Sequence, residues 1–137
     1  MKLGICVLIV LVITVSLIGC GGGPKFKDTT WVLESYSERG KLKDVMADTE
    51  ITAIFNSADK QVTGSGGCNS YFGSYEVKGD DLSIPSPIGS TEMSCGDEKD
   101  AQERVYLKNL QSAESYKIED GKLIIYGDAD IFYFRPK

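Results

Sequence analysis

The chain has 137 residues, a formal net charge of −5 and four cysteines, and it contains no histidine. This length allows one domain with a modest core. An acidic balance without a basic cluster argues against nucleic acid as a partner. The absence of histidine removes the most common general base and the most common metal ligand.

The first residues predict an export signal. Lys2 is followed by an uncharged, mostly apolar run over residues 3–17, which is shorter than the roughly 20 residues of a membrane-spanning helix. The run ends in Leu17-Ile18-Gly19-Cys20, which resembles the lipobox of prokaryotic lipoproteins. The resemblance implies cleavage of residues 1–19 and lipidation of Cys20. The alternative is an uncleaved N-terminal helix with an incidental cysteine.

A lipid on Cys20 would anchor the protein in the cell membrane or the outer membrane, facing outside the cytoplasm. One acyl chain holds a protein only marginally, whereas two or three chains on one residue hold it firmly. Residues 20–27 contain three consecutive glycines and predict a flexible tether. Residues 28–137 then form the predicted domain.

Most of this domain is predicted to be strand, because short alternating apolar runs are separated by turn formers. Residues 37–48 are polar and predict a loop. The predicted strands cover residues 29–36, 51–55, 61–66, 69–77, 82–84, 88–93, 115–118, 122–126 and 131–134. Some of the tyrosines and phenylalanines in them could instead line an exposed face that binds a peptide or a lipid.

One main helix is predicted at about residues 97–112, a stretch without Gly or Pro. Ala101, Val105 and Leu110 are placed on its apolar stripe, and Asp97 is the predicted N-cap. About eight short strands and one helix predict an α+β fold in which an antiparallel sheet, curled or closed into a partial barrel, surrounds the core.

The segment from residue 64 to residue 75, G-S-G-G-C-N-S-Y-F-G-S-Y, is the most distinctive in the chain. Its glycines suit a sharp bend or a close approach of two backbones. Asn69 tolerates a left-handed conformation and can bond to local backbone. Tyr71 and Tyr75 share one strand face, where they would bury large rings and keep their hydroxyls at a rim.

Two cysteines, Cys68 and Cys95, fall inside the predicted domain. Outside the cytoplasm disulfides persist, and a bridge across this spacing would contribute roughly 3–4 kcal/mol by the loop-entropy model. The alternative is a pair of free buried thiols.

Several motifs resemble the META domain family, which includes the HslJ-like heat-shock lipoproteins. The resemblance covers about residues 28–135. It rests on the T-W pair ending at Trp31, the G-C-N-x-Y-x-G-x-Y core and the T-x-M-x-C segment. The residues that match the family motif and carry an implied structural role are Trp31, Gly67, Cys68, Asn69, Tyr71, Gly73, Tyr75, Met93 and Cys95.

The resemblance implies an antiparallel α+β fold and pairing of Cys68 with Cys95. It implies no reaction, because the family is associated with stress response, the cell envelope and motility or virulence rather than with an activity.

The sequence therefore predicts a monomeric, lipid-anchored envelope protein that is not an enzyme and that binds or stabilises another envelope component. No catalytic residue, metal or cofactor is predicted, and the partners are the membrane and an envelope protein or small hydrophobic ligand. One alternative function is a carrier of such a ligand. Another is a cell-surface hydrolase, which the missing histidine disfavours.

Two further chemical alternatives concern individual side chains. Cys68 as a nucleophile would require a lysine base from among Lys60, Lys78 and Lys99. The acidic pairs Asp80-Asp81 and Asp128/Asp130 could contribute to a calcium site, but such residues are usually turn formers.

Overall fold

The structure is a computed structural model that describes residues 22–137. The predicted signal and the predicted lipidation site, Cys20, lie outside the described residues and stay predictions. Within the described part, the helix is neither long enough nor apolar enough to cross a membrane.

Eleven strands and one α-helix make up the domain. In chain order they are β1 (Trp31–Glu38), β2 (Lys41–Asp44), β3 (Thr52–Phe55), β4 (Gln61–Ser65), β5 (Ser70–Ser74), β6 (Glu76–Lys78), β7 (Asp81–Ser83), β8 (Gly89–Ser90), α1 (Asp97–Gln111), β9 (Ala113–Glu119), β10 (Lys122–Gly127) and β11 (Ile131–Pro136).

The strands form one antiparallel sheet with the order β6-β7-β9-β10-β11-β1-β3-β4-β5-β8, and β2 pairs with β1. β5 and β6 lie near opposite ends of this order, yet only Tyr75 separates them in the chain. The sheet must therefore curl back on itself, as a partial barrel does. The predicted α+β class with one main helix and a curled antiparallel sheet is confirmed.

One end of the curled sheet, which we call the helix end, is closed by α1. Tyr106 and Leu110 on α1 are fully buried, and the Tyr106 ring packs edge-on against Tyr71 and Phe132, with centroids 5.7 and 5.4 Å away. Large rings bury much apolar area, so these contacts hold α1 on the sheet.

The opposite end, which we call the N-terminal end, is closed by Phe26. Its ring stacks on Phe55 at 4.3 Å and on Tyr116 at 3.9 Å, and its carbonyl accepts a hydrogen bond from Trp31 Nε1 at 3.0 Å. Lys27 forms a bridge with Phe55. The predicted tether, residues 20–27, was therefore wrong at its last two residues, which belong to the folded domain.

One strand was not predicted, and two of the predicted strands have different bounds in the structure. β2 lies where a loop was predicted, because all four of its residues are exposed and show no alternation. The predicted strand over residues 69–77 is divided at Tyr75, because its first part, β5, pairs with β4 up to the bond from the Tyr75 N–H to the Lys60 carbonyl, whereas the residues after Tyr75 form β6 and pair with β7. The predicted strand over residues 88–93 shrinks to the two residues of β8.

The predicted apolar stripe of the helix is confirmed at Leu110 and wrong at Ala101. Ala101 is exposed and Val105 is half-buried, whereas α1 buries Gln102, Glu103, Tyr106 and Leu110. The predicted cap is also wrong, because Gly96 precedes the helix at φ 104° without a side-chain cap. Asp100 compensates by accepting hydrogen bonds from the Cys95 N–H and the Ser94 hydroxyl, at 2.9 and 2.7 Å.

Candidate functional site

The distinctive sequence segment forms the loop between β4 and β5, which lies beside the start of α1. A disulfide joins Cys68 in this loop to Cys95, with the Cα atoms 5.9 Å apart. The predicted pairing is confirmed. The bond ties the β4–β5 loop to the residues that lead into the helix.

Glu103 of α1 is the centre of this region. Its side chain is buried, and Oε2 accepts hydrogen bonds from the Cys68 and Asn69 backbone N–H groups, at 3.0 and 2.6 Å. Oε1 accepts from Asn69 Nδ2 at 2.6 Å. A buried carboxylate requires such donors, because an uncompensated charge away from water is costly. Glu103 therefore fastens the helix to the loop.

Asn69 also binds the segment that precedes the helix. Its Oδ1 accepts from the Thr91 hydroxyl and the Met93 N–H, at 2.8 and 2.7 Å, and its Nδ2 donates to the Met93 carbonyl at 3.0 Å. Asn69 has no positive φ, and its side-chain partners are distant in sequence. The left-handed conformation and the local side-chain bonds for which an asparagine is suited are not used at this position.

Two glycines make room for this network. A Cβ at Gly66 would lie 2.6 Å from Glu103 Oε2, and Gly67 has φ 108°, which other residues rarely adopt. The close approach and the bend predicted for this segment are both present. Together they let the backbone wrap around the Glu103 carboxylate.

A hydroxyl pair lies deeper, between β5 and α1. Tyr71 donates to the Thr52 carbonyl at 2.9 Å, so the Tyr106 hydroxyl donates to the Tyr71 oxygen, 2.8 Å away. The predicted rim position is wrong for Tyr71, whose hydroxyl is inside the domain. Burial raises the pKa of both phenols.

Most of the other motif residues are buried inside the domain. Trp31 is fully buried, and Tyr75 is buried with its hydroxyl donating to the Asn56 carbonyl at 3.0 Å. Gly73 is buried where a Cβ would lie 3.2 Å from Ile88. Met93 differs, because its backbone serves the Asn69 network while its side chain is 60 % exposed.

The other chemical alternatives were a nucleophile and a calcium site. Among the described residues, one group of potential metal ligands lies close together, namely Cys68, Cys95 and Asp100. Its two sulfurs are bonded to each other, and the Asp100 oxygens accept local hydrogen bonds that lower its pKa, the Cys95 N–H having the largest effect. These three groups therefore connect the β4–β5 loop to the residues before the helix and to its first turn.

Glu103 is the central residue that the sequence did not single out. An apolar stripe does not include a glutamate, so the hydrophobic pattern of the helix gives no indication of it. Tyr106 offered the usable signal, because positions three before and four after it are Glu103 and Leu110, which share its helical face. If the buried face of the helix had been defined by Tyr106, Glu103 would have been predicted to lie on it.

Replacing Cys68 or Cys95 by serine is expected to lower the free energy of unfolding by about 3.5 kcal/mol, and by the same amount for each, because either change removes the same cross-link. Urea denaturation of both variants and of the double variant measures this. The double variant should be no less stable than the singles. Unequal losses would show that one thiol has a role besides the disulfide.

The buried tyrosine pair predicts alkaline sensitivity. Because the pKa of each phenol is raised by folding, the unfolded chain releases protons first as the pH rises above about 10. The contribution of these phenols to the free energy of unfolding is therefore fully present below that pH. Above it, the free energy of unfolding falls by up to about 1.4 kcal/mol per pH unit for each phenol.

Urea midpoints measured from pH 8 to pH 11 check this dependence. Tyr106→Phe should be less stable at pH 8 but should show a shallower decline at high pH. A decline as steep as in the wild type would exclude this tyrosine as the cause.

The fold and the site define a class of protein: a one-helix domain with a curled antiparallel sheet, whose β4–β5 loop is fastened to the helix by a disulfide and a buried carboxylate. The family model of the META domain matches residues 24–137. The chain belongs to the META domain family, as its motifs predicted.

Solved structures of other proteins share this fold. The chain is similar to a protein from Burkholderia xenovorans solved by NMR, with 25% identity, a TM-score of 0.69 and coverage of 82% of this chain and 83% of the other. A second NMR structure has a TM-score of 0.60 at 19% identity and covers 78% of this chain and 87% of the other.

A crystal structure of a DUF4847 family protein from Bacteroides vulgatus shares the fold, with a TM-score of 0.56, 13% identity and coverage of 80% of this chain and 93% of the other. No curated protein matches the chain.

Proposed function

We propose that this protein is a lipid-anchored, non-enzymatic component of the cell envelope that binds or stabilises another envelope protein under stress. The anchor is the lipid expected on Cys20. The domain is a compact binding module held close to the membrane.

One observation supports the non-enzymatic part of the proposal more than any other. The polar atoms of the motif are bonded to one another: the Glu103 carboxylate to three N–H groups, Asn69 to the Met93 backbone, and the cysteines to each other. A nucleophile or general base needs a free atom beside a substrate site. These residues are better suited to rigidity than to chemistry.

The binding part of the proposal has a candidate surface along α1. A cleft of about 290 Å³ lies between the β1–β2 hairpin and the helix, with Tyr36, Met46, Ala101 and Val105 among its lining residues. Its lining also contains both acidic and basic side chains. An apolar floor with a charged rim suits a polypeptide partner. Ala101, predicted to face the core, lines this cleft instead, whereas Val105 lines the cleft and also packs against the core.

Site-specific photocrosslinking in cells tests this function. A photoreactive residue at Ala101 should yield a discrete cross-linked product with an envelope protein, and Val105→Glu in the same chain should abolish that product. The matched control is the same probe at Arg104, which is exposed on α1 and does not line the cleft.

A strain lacking the protein should be more sensitive to envelope stress, and Val105→Glu should reproduce that sensitivity. Cys20→Ser should release the protein from the membrane fraction. The proposal fails if Ala101 gives no more product than Arg104 and the deletion strain tolerates stress as well as the parent.

The carrier alternative receives less support from the interior. The space inside the sheet is filled by large side chains that are almost fully buried, namely Trp31, Phe55, Tyr75, Tyr106, Phe132 and Phe134. A hydrophobic ligand in the core would have to displace several of them. Native mass spectrometry of the domain with lipids would reveal such a ligand as added mass.

A further inference from the structure

We propose that the N-terminal end of the curled sheet lies against the membrane, where Lys27, Lys60 and Lys78 contact the phosphate groups of anionic phospholipids. This inference rests on the proposed function, because it requires the lipid on Cys20. It adds an orientation for the domain and a second membrane contact besides the anchor.

The first argument is the length of the connecting chain. Phe26 is buried at the N-terminal end, and only residues 21–25 separate it from Cys20. A fully extended chain of this length spans at most about 20 Å. A lipid on Cys20 in the bilayer would therefore hold the Phe26 end of the domain within about 20 Å of the headgroups.

The second argument is the direction of the strands between the two ends. The segment from Tyr71 to Tyr75 connects the two ends: Tyr71 bonds to Tyr106 at the helix end, and the Tyr75 ring packs against Phe26 at the N-terminal end. This segment spans about 14 Å at the usual rise of a strand. The short connection therefore favours an orientation in which α1 is farther from the bilayer than Phe26.

The third argument is the charge at the N-terminal end. Lys27, Lys60 and Lys78 line one cleft of about 280 Å³, together with Tyr75, Glu76 and Val77. The lining itself has three amines and one carboxylate, on a chain whose net charge is −5, and the carboxylates of Asp28 and Asp59 lie beside it. Anionic phosphate groups are the chemistry that such a site complements.

Two further acids lie near this site and are bonded to backbone. Asp28 accepts from the Ser57 N–H at 2.8 Å, and Asp59 accepts from the Gln61 N–H at 3.0 Å. These hydrogen bonds hold the two carboxylates in turns at the edge of the site. Lys60 Nζ likewise donates to the Ser57 carbonyl, which leaves the ammonium group two further donors for phosphate oxygens.

Covalent labelling of lysines in proteoliposomes tests the orientation. The full-length lipoprotein is purified from bacterial membranes and reconstituted into vesicles of phosphatidylcholine with phosphatidylglycerol. A soluble amine-reactive reagent is applied, and the labelling of each lysine is measured by mass spectrometry. Lys41 and Lys108 are the matched controls, because both are exposed and lie towards the helix end.

Lys27, Lys60 and Lys78 should react about fivefold more slowly in vesicles than in detergent, which corresponds to about 1 kcal/mol of attraction for each amine. Lys41 and Lys108 should react equally in both. A flexible Gly/Ser insertion between Gly23 and Pro24 should remove much of the protection, and protection unchanged by it would overturn the role of chain length.

The mass of the Cys20 peptide separates the two proposals. If Cys20 carries the lipid and all five lysines react equally in vesicles, the orientation is overturned and the anchored function stands. If Cys20 carries no lipid, the anchored function itself is overturned, and the orientation with it.

Discussion

Replacing Glu103 by alanine is expected to lower the free energy of unfolding by about 3–5 kcal/mol, because three N–H groups would lose their buried acceptor. The loop from Gly66 to Asn69 and the helix would then be joined mainly by the disulfide. Urea denaturation, with the wild type measured in parallel, gives the value directly.

Glu98→Ala is the matched control, since Glu98 is an exposed glutamate on the same helix, and we expect it to change stability by less than about 0.5 kcal/mol. Glu103→Gln should lie between the two. Its amide can accept from the two backbone N–H groups only by placing its own NH2 group against Asn69 Nδ2. If Glu103→Ala were as stable as Glu98→Ala, the buried carboxylate would not be the fastening we describe.

Replacing Gly64 by alanine is expected to cost about 4 kcal/mol or more, or to prevent folding, because a Cβ at this position would lie 2.0 Å from the Thr52 carbonyl oxygen. The contacted atom belongs to the backbone, so no side-chain rotation can relieve the clash. β3 and β4 would have to separate at the point where Gly64 crosses Thr52.

Gly23→Ala is the matched control for this substitution, because a Cβ there meets nothing within 4 Å. The fraction of soluble protein and the thermal midpoint of each variant measure the effect. A Gly64→Ala protein with the midpoint of Gly23→Ala would mean that the strands cross less closely than the structure places them.

The sequence predicted the class of fold well because strand patterns depend on local alternation. β3 is typical: Ala53 and Phe55 point inwards and are fully buried. The same logic failed for β2, whose four exposed side chains leave no such pattern. An edge strand stabilised mainly by backbone bonds to β1 has no hydrophobic signature of its own.

Of the site, the loop motif could be predicted from the sequence and its partner on the helix could not, for a different physical reason. The motif around Cys68 could be recognised because its glycines and its cysteine are unusual residues close together in the chain. Its partner, Glu103, is 34 residues from Asn69 and lies in a helix of ordinary composition. Tertiary packing determines which helical face is buried, and in this domain the buried face contains the Glu103 carboxylate, whereas Ala101 is on the exposed face.

The pairing of β1 with β11 has a consequence for how the chain acquires its structure. Trp31, near the start of the domain, is opposite Pro136, the second residue from the end of the chain. β11 joins β10 to β1, so the sheet stays divided until the last strand is in place. Contacts this distant in sequence slow folding. Strands made early, such as β1 and β3, therefore stay apart from β9 and β10 until β11 has formed, and we expect the closing of the sheet to be a late step in folding.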